Sequence, residues 1–138
     1  MTKKLYTCAK SPCKTCPYRR DVPSGLWAKE EYKKLPTYDG EVFEQLEKNA
    51  LGRFDCHQRD GHMCAGWIAV HGAANLLALR LTRNVAPEVF EYKSPVPVFG
   101  SGAEAAKHGM RDIKKPGPEA LKAIARLNRK RARDGNWT

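Results

Sequence analysis

At 138 residues the chain has the length of a single domain, and its 41% hydrophobic content against 29% charged allows one modest core. No run approaches the roughly eighteen apolar residues of a membrane span, so no membrane partner is expected. The formal net charge is +10 and unevenly placed: residues 1–20 carry six bases and no acid, and residues 107–138 carry ten bases and three acids. Between them lies a slightly acidic middle. Basic ends of this kind are an electrostatic footprint for nucleic acid or another polyanion.

The basic start, Met1 to Tyr6, leads into no apolar stretch, which predicts a chain without a secretory signal, resident in the cytoplasm. An odd count of five cysteines fits a disulfide framework poorly, and in a reducing compartment clustered cysteines bind metal or do redox chemistry.

In chain order, residues 1–23 contain Pro12, Pro17 and Pro23 and read as an irregular loop. Ser24 is placed to cap a helix through Trp27, Tyr32 and Leu35 that Pro36 stops. From Glu41 to Leu51, Val42, Phe43, Leu46 and Ala50 recur at helical spacing, with Gly52 closing the segment. The strongest helical signal runs from Cys64 to Arg83, where Trp67, Val70, His71, Ala74, Leu77, Ala78 and Leu81 form one stripe; this predicts a long, central, buried helix. A turn over 87–92 and an extended Ser94–Val98 follow, the latter because each proline biases its predecessor away from the α region. Ser101 and Glu104 have the form of a capping box opening a helix that Gly109 ends. Lys115-Pro116-Gly117-Pro118 reads as a hinge before a last helix from Pro118 to about Arg133. The expected class is mostly α: a small single domain with irregular metal-ordered loops, a central buried helix and a basic C-terminal helix. The hinge divides a metal-binding domain with a basic N-terminal arm, residues 1–113, from residues 114–138, and deletion of residues 118–138 is expected to leave the fold intact.

Cys13 and Cys16 are separated by two residues, and Cys56 and Cys64 by seven across a turn at Asp60-Gly61. Zinc–sulfur bonds of about 2.3 Å set a tetrahedral edge of roughly 3.7 Å between sulfurs. A two-residue gap curls the backbone into a turn that holds two thiolates near that separation, and the second turn folds the chain back to supply two more. Cys64 would open the long helix, where the helix dipole favours a thiolate. Cys13, Cys16, Cys56 and Cys64 are therefore the expected metal ligands. Zinc suits four thiolates, or three with His57, His62 or His71; an iron–sulfur cluster also takes four. Cys8, Cys13 and Cys16 reproduce part of the plant-type ferredoxin spacing, but Cys8 reads as a free thiol in a floppy tail. His57 is expected outside the coordination shell, and His71, two turns after Cys64, reads as a core-edge histidine.

The segments Pro12-Cys13-x-x-Cys16-Pro17-Tyr18-Arg19, Asp21-Val22-Pro23-Ser24-Gly25-x-Trp27, Cys56-His57 and Cys64-Ala65-Gly66-Trp67 together resemble a family of small actinobacterial and actinophage proteins of unknown function. Leu77 to Leu81 and Ser94 to Pro97 share the likeness, which runs from about Pro12 to Gly109. It implies that Cys13, Cys16, Cys56 and Cys64 form the site with Cys8 outside it, and an actinobacterial or phage source. It implies no activity.

Three functions compete. The first is a metal-stabilised nucleic-acid-binding or regulatory module, acting on DNA or RNA through Lys114, Lys115, Arg126, Arg129, Lys130, Arg131 and Arg133. Arg126, Arg129, Lys130 and Arg133 recur three or four apart and make a basic stripe suited to phosphates. The second is a protein-docking factor, for instance a phage protein on a host target, with Trp137 or the Tyr/Pro-rich loop as contact. The third is an iron–sulfur redox sensor. Catalysis is not expected: there is no phosphate-binding glycine loop, no HExxH and no thioredoxin-like context around Cys13 and Cys16.

Overall fold

The computed structural model describes residues 5–56 and 61–134, and side chains as far as Lys130. Six α-helices fall within them: α1 Lys29–Lys34, α2 Val42–Glu47, α3 Ala65–His71, α4 Leu77–Arg80, α5 Gly102–Arg111 and α6 Pro118–Asp134. The sheet is a two-residue parallel pair, β1 Thr7–Cys8 against β2 His62–Met63. The small, mostly α domain expected from the sequence is what forms, although most of its helices are short.

Residues 6–9 are pinned rather than floppy. Cys8 lies opposite Met63 in the β pair, Ala9 N–H donates to Met63 O, and Tyr6 exchanges backbone bonds with Asn84 and Ala86. Local propensity missed this because two residues of strand give no periodic signal; the partner strand supplies the order.

Ser24 does not start a helix. Its hydroxyl donates to His108 O at 2.6 Å and accepts from Asp112 N–H at 2.9 Å, so it serves the C-terminus of α5. The helix begins later, after Ala28, and ends at Lys34 ahead of Pro36 as expected, the proline sitting in a 3-10 turn over Leu35–Tyr38. Two glycines set how closely α5 lies on this unit. A Cβ on Gly102 would collide with the Leu35 carbonyl, and one on Gly109 with the Tyr32 ring. Gly109 is therefore a packing residue inside α5, which runs on to Arg111. Ser101 caps α5 as expected, accepting from Glu104 N–H at 3.1 Å.

The predicted helix over 64–83 is broken in the middle. Gly72 has φ +78°, ends α3, and leads through a 3-10 turn at Ala73–Asn75 to the single turn of α4. An apolar stripe of helical period survives such a break when short turns keep the apolar residues on one side, which is why periodicity joined the two pieces. Of the stripe, Trp67, Leu77 and Ala78 are buried, Val70 and His71 are half-buried, Ala74 is exposed and Leu81 is 61% exposed, while Ile68, Leu76 and Leu79 beside it are buried.

On α2 the buried face is the reverse of the expected one. Phe43 and Leu46 are 62% and 58% exposed, and the fully buried residue is Gln45. Its amide donates to Gly40 O and Asn75 O and accepts from Leu77 N–H, satisfying the backbone left open where the chain enters α4. The helix stops at Glu47, with Asn49 at φ +60°, before Gly52 is reached. At the other end of the chain, Ala120, Ala123 and Leu127 bury one side of α6, and Ala123 and Leu127 belong to the core. The helix is docked on the body.

Candidate metal centre

The turn at Cys13–Cys16 closes as the spacing requires: Cys16 N–H donates to Cys13 O at 2.9 Å and Arg19 N–H to Cys16 O at 3.1 Å. Buried neighbours hold it. The Trp27 indole donates to Thr15 O at 2.7 Å, and Thr15 Oγ1 lies 3.6 Å from Cys13 Sγ. Arg19 reaches back to Pro12 O while making a two-bonded pair with Asp21, both at 2.8 Å.

The second pair is brought in by a hairpin. Phe54 O accepts from Cys64 N–H at 2.8 Å, Cys56 N–H donates to His62 O at 2.9 Å, and Asp55 bridges Met63 antiparallel. Cys64 is the residue that precedes α3, and its thiol is turned into the core. The tip of the hairpin, with His57 and Asp60, lies outside the described residues.

The two turns meet thiol to thiol. Cys16 Sγ lies 3.5 Å from Cys64 Sγ, and Cys13 and Cys56 lie near enough for one to shift the other's ionisation. Fields from the two pairs overlap. The hydrogen bond with Cys64, then backbone hydrogen bonds from Tyr18 and Arg19, hold the Cys16 thiol below the usual range against its burial, while Cys56 opposes. Burial first, then the hydrogen bond with Cys16, pushes Cys64 well up. Hydrogen bonding to Cys56, then burial, then the charge of Cys16 raises Cys13. Among the described residues no three or more His, Cys, Asp or Glu side chains form a ready metal-binding group. Cys16 and Cys64 are in contact, with Cys56 and Cys13 near enough to act on their ionisation.

Gly66 admits this arrangement. A Cβ there would sit 2.6 Å from Cys16 Sγ and 2.8 Å from Tyr18 Cβ. The sequence offered a glycine inside an apolar helical run as the signal, but not which neighbour needed the space.

The other candidates separate from the cluster. Cys8 is half-buried on β1, its thiol raised by burial, and Glu88 rather than another cysteine adds to the shift. The five cysteines form no disulfide. His62 sits half-buried on β2. His71 turns away from the thiols: Nε2 is 3.3 Å from Tyr18 Oη and Nδ1 is 3.5 Å from Asp39, whose carboxylate also accepts from Gly102 and Ala103 N–H at the start of α5. Burial pulls His71 down to about 4, so it is neutral at pH 7, a core-edge histidine.

Of the basic set, Lys114, Lys115, Arg126 and Arg129 are exposed and Lys130 is half-buried. The side chains of Arg131 and Arg133 lie outside the described residues, as does Trp137. Arg126 and Lys130 line a groove beside the Cys13–Cys16 turn, whose other bases are Lys14, Arg19 and Lys122. Those three escape a reading of the sequence, since nothing in their spacing announces that residues more than one hundred positions apart meet there.

A family model described as "Family of unknown function (DUF6283)" matches residues 8–131. The chain belongs to that family. The match takes in all four clustered cysteines and α6 nearly to its end, so the thiol cluster and the docked helix both lie within the extent of the family. Comparison with curated proteins and with solved structures finds no match. Among the described residues no helix is long and apolar enough to cross a membrane.

Proposed function

We propose that the chain is a nucleic-acid-binding module whose irregular loops are clamped by one zinc ion held by Cys13, Cys16, Cys56 and Cys64. The observation that carries the metal is the convergence of four thiols from two turns separated by forty residues of sequence. The 3.5 Å Cys16–Cys64 separation is close to the tetrahedral edge of about 3.7 Å for zinc thiolates. The donor set fits. Backbone hydrogen bonds at Cys16 favour a thiolate, and the space kept open by Gly66 lets that sulfur enter the core. Zinc replaces the thiol protons and joins the pairs, crosslinking the N-terminal loop to the 54–64 hairpin. Structural zinc contributes roughly 10–16 kcal/mol, as much as the 5–15 kcal/mol total stability of a typical domain. An iron–sulfur cluster uses the same donors and would turn the module into a redox sensor.

The nucleic-acid reading is supported by the docked α6, which buries Ala120, Ala123 and Leu127 and turns Lys122, Arg126 and Arg129 outward. An actinobacterial or phage source is part of the same proposal. Labelled DNA and RNA titrated in a salt series test it: binding that falls steeply with salt is expected, and no binding at low salt would refute it.

A second reading, a protein-docking module, rests on Phe43 and Leu46, exposed on α2, with Leu81 exposed at the end of α4. One partner retained in a pulldown after nuclease treatment would favour it.

A further inference from the structure

The groove beside the cysteine turn has a volume of about 560 Å³ and runs between the 14–23 loop and α6. Lys14 and Arg19 stand on the loop side, and Lys122, Arg126 and Lys130 on the helix side. Two acids, Asp21 and Glu119, also line it. Asp21 is already held by the bidentate Arg19 pair, so its charge is matched within the wall. The groove therefore carries an excess of positive charge on both walls, over a floor of Thr15, Ala123 and Leu127.

We infer that this groove is where the phosphodiester backbone of the nucleic acid lies, with Lys14, Lys122 and Arg126 as the phosphate-binding residues. The inference rests on the nucleic-acid reading and gives it a location. Lys122, Arg126 and Lys130 recur every four residues, so α6 presents a base about every 6 Å along one face. A regular row of this kind suits an anion that repeats along a line. Arg129, on the same helix, extends the charge past the groove. The opposite wall is the backbone of the Cys13–Cys16 turn itself: Lys14 lies between the two cysteines, and the neighbouring Thr15 is fixed by the Trp27 indole. The cysteine centre thus positions one wall of the groove and α6 the other. An acidic peptide lacks the fixed spacing of a sugar-phosphate strand and is the competing occupant.

Fluorescence anisotropy with a short labelled single strand and duplex, read across a salt series, tests the assignment. Each phosphate that the protein no longer neutralises lowers the slope of log affinity against log salt by about 0.7 for a single strand or about 0.9 for a duplex. Lys14→Gln and Lys122→Gln are each expected to lower the slope by that step, and Lys93→Gln, exposed elsewhere, to leave it unchanged. All three side chains are exposed, so melting curves should superimpose on the parent, which separates weakened phosphate binding from impaired folding. If Arg129→Gln lowers the slope while Lys14→Gln and Lys122→Gln do not, the helix binds nucleic acid and the groove assignment fails. Competition by polyglutamate as effective as by unlabelled nucleic acid would also overturn it. Absence of any binding by the parent protein at low salt would remove the nucleic-acid reading together with the groove.

Discussion

Gly66 shows how a single missing side chain makes the thiol cluster possible. With a methyl 2.6 Å from Cys16 Sγ and 2.8 Å from Tyr18 Cβ, Gly66→Ala must shift either the sulfur or the tyrosine. Overpacking of this size costs about 1–3 kcal/mol, and here it also moves a sulfur that the proposed zinc would use. The expected result is a lower melting temperature and weaker zinc retention against a chelator; unchanged retention would place Cys16 outside the centre. His71 gives a pH signature of its own. Its folded pKa is depressed to about 4 from an ordinary 6.5, so the unfolded chain binds more protons between those values. Stability is therefore fully present above pH 6.5 and is lost as pH falls toward 4, by up to about 3 kcal/mol. Replacement by Phe removes that titration, and denaturant melts of parent and variant across pH 4–7 should differ in slope over this range. Parallel curves would contradict it. Neither effect was visible in the sequence, because a pair such as Gly66 and Cys16, or His71 and Tyr18, is close only once the fold exists.

Among the elements, α2 carries a clear test because its apolar residues face outward while Gln45 is buried. Three backbone partners bond that amide, at Gly40, Asn75 and Leu77, and Gly40 O also accepts from the Asn75 side chain. Gln45→Ala removes all three bonds, leaves the buried Leu77 N–H without its side-chain acceptor, and should cost about 2 kcal/mol, read from equilibrium unfolding. The exposed Phe43→Ser should cost little; a large loss there would mean that the exposed face is covered in solution. The period of Val42, Phe43 and Leu46 announced the helix but pointed to the wrong face, since counting apolar residues assigns no value to a glutamine with three partners. Similarly, α3 and α4 read as one helix because apolar residues continue across both, and Gly72 with the 3-10 turn at Ala73–Asn75 separates them. α6 was legible from Pro118 onward, but its burial was not: Ala120, Ala123 and Leu127 make a narrow apolar stripe against ten bases in the last thirty-two residues. Leu127→Ala should therefore cost about 2 kcal/mol, toward the low end of core truncations because the residue sits at the edge of the core, 8% exposed. No change in melting would show that α6 is held loosely.

For the molecule as a whole, the class of fold followed from composition and helical period, and the closed Cys13–Cys16 turn followed from its spacing. The groove did not, because Lys14 and Lys122 meet only through the docking of α6 on the N-terminal loop. With short helices and a two-residue sheet, the cysteine crosslink is expected to hold the architecture. The most direct measurement is a UV–visible spectrum with elemental analysis on anaerobically purified protein, followed by a melt with and without chelator. The expected result is a colourless protein with one zinc per chain that loses its cooperative transition when the metal is removed. A metal-free protein that melts identically with and without chelator would contradict it, and a brown iron-containing one would replace zinc with a cluster.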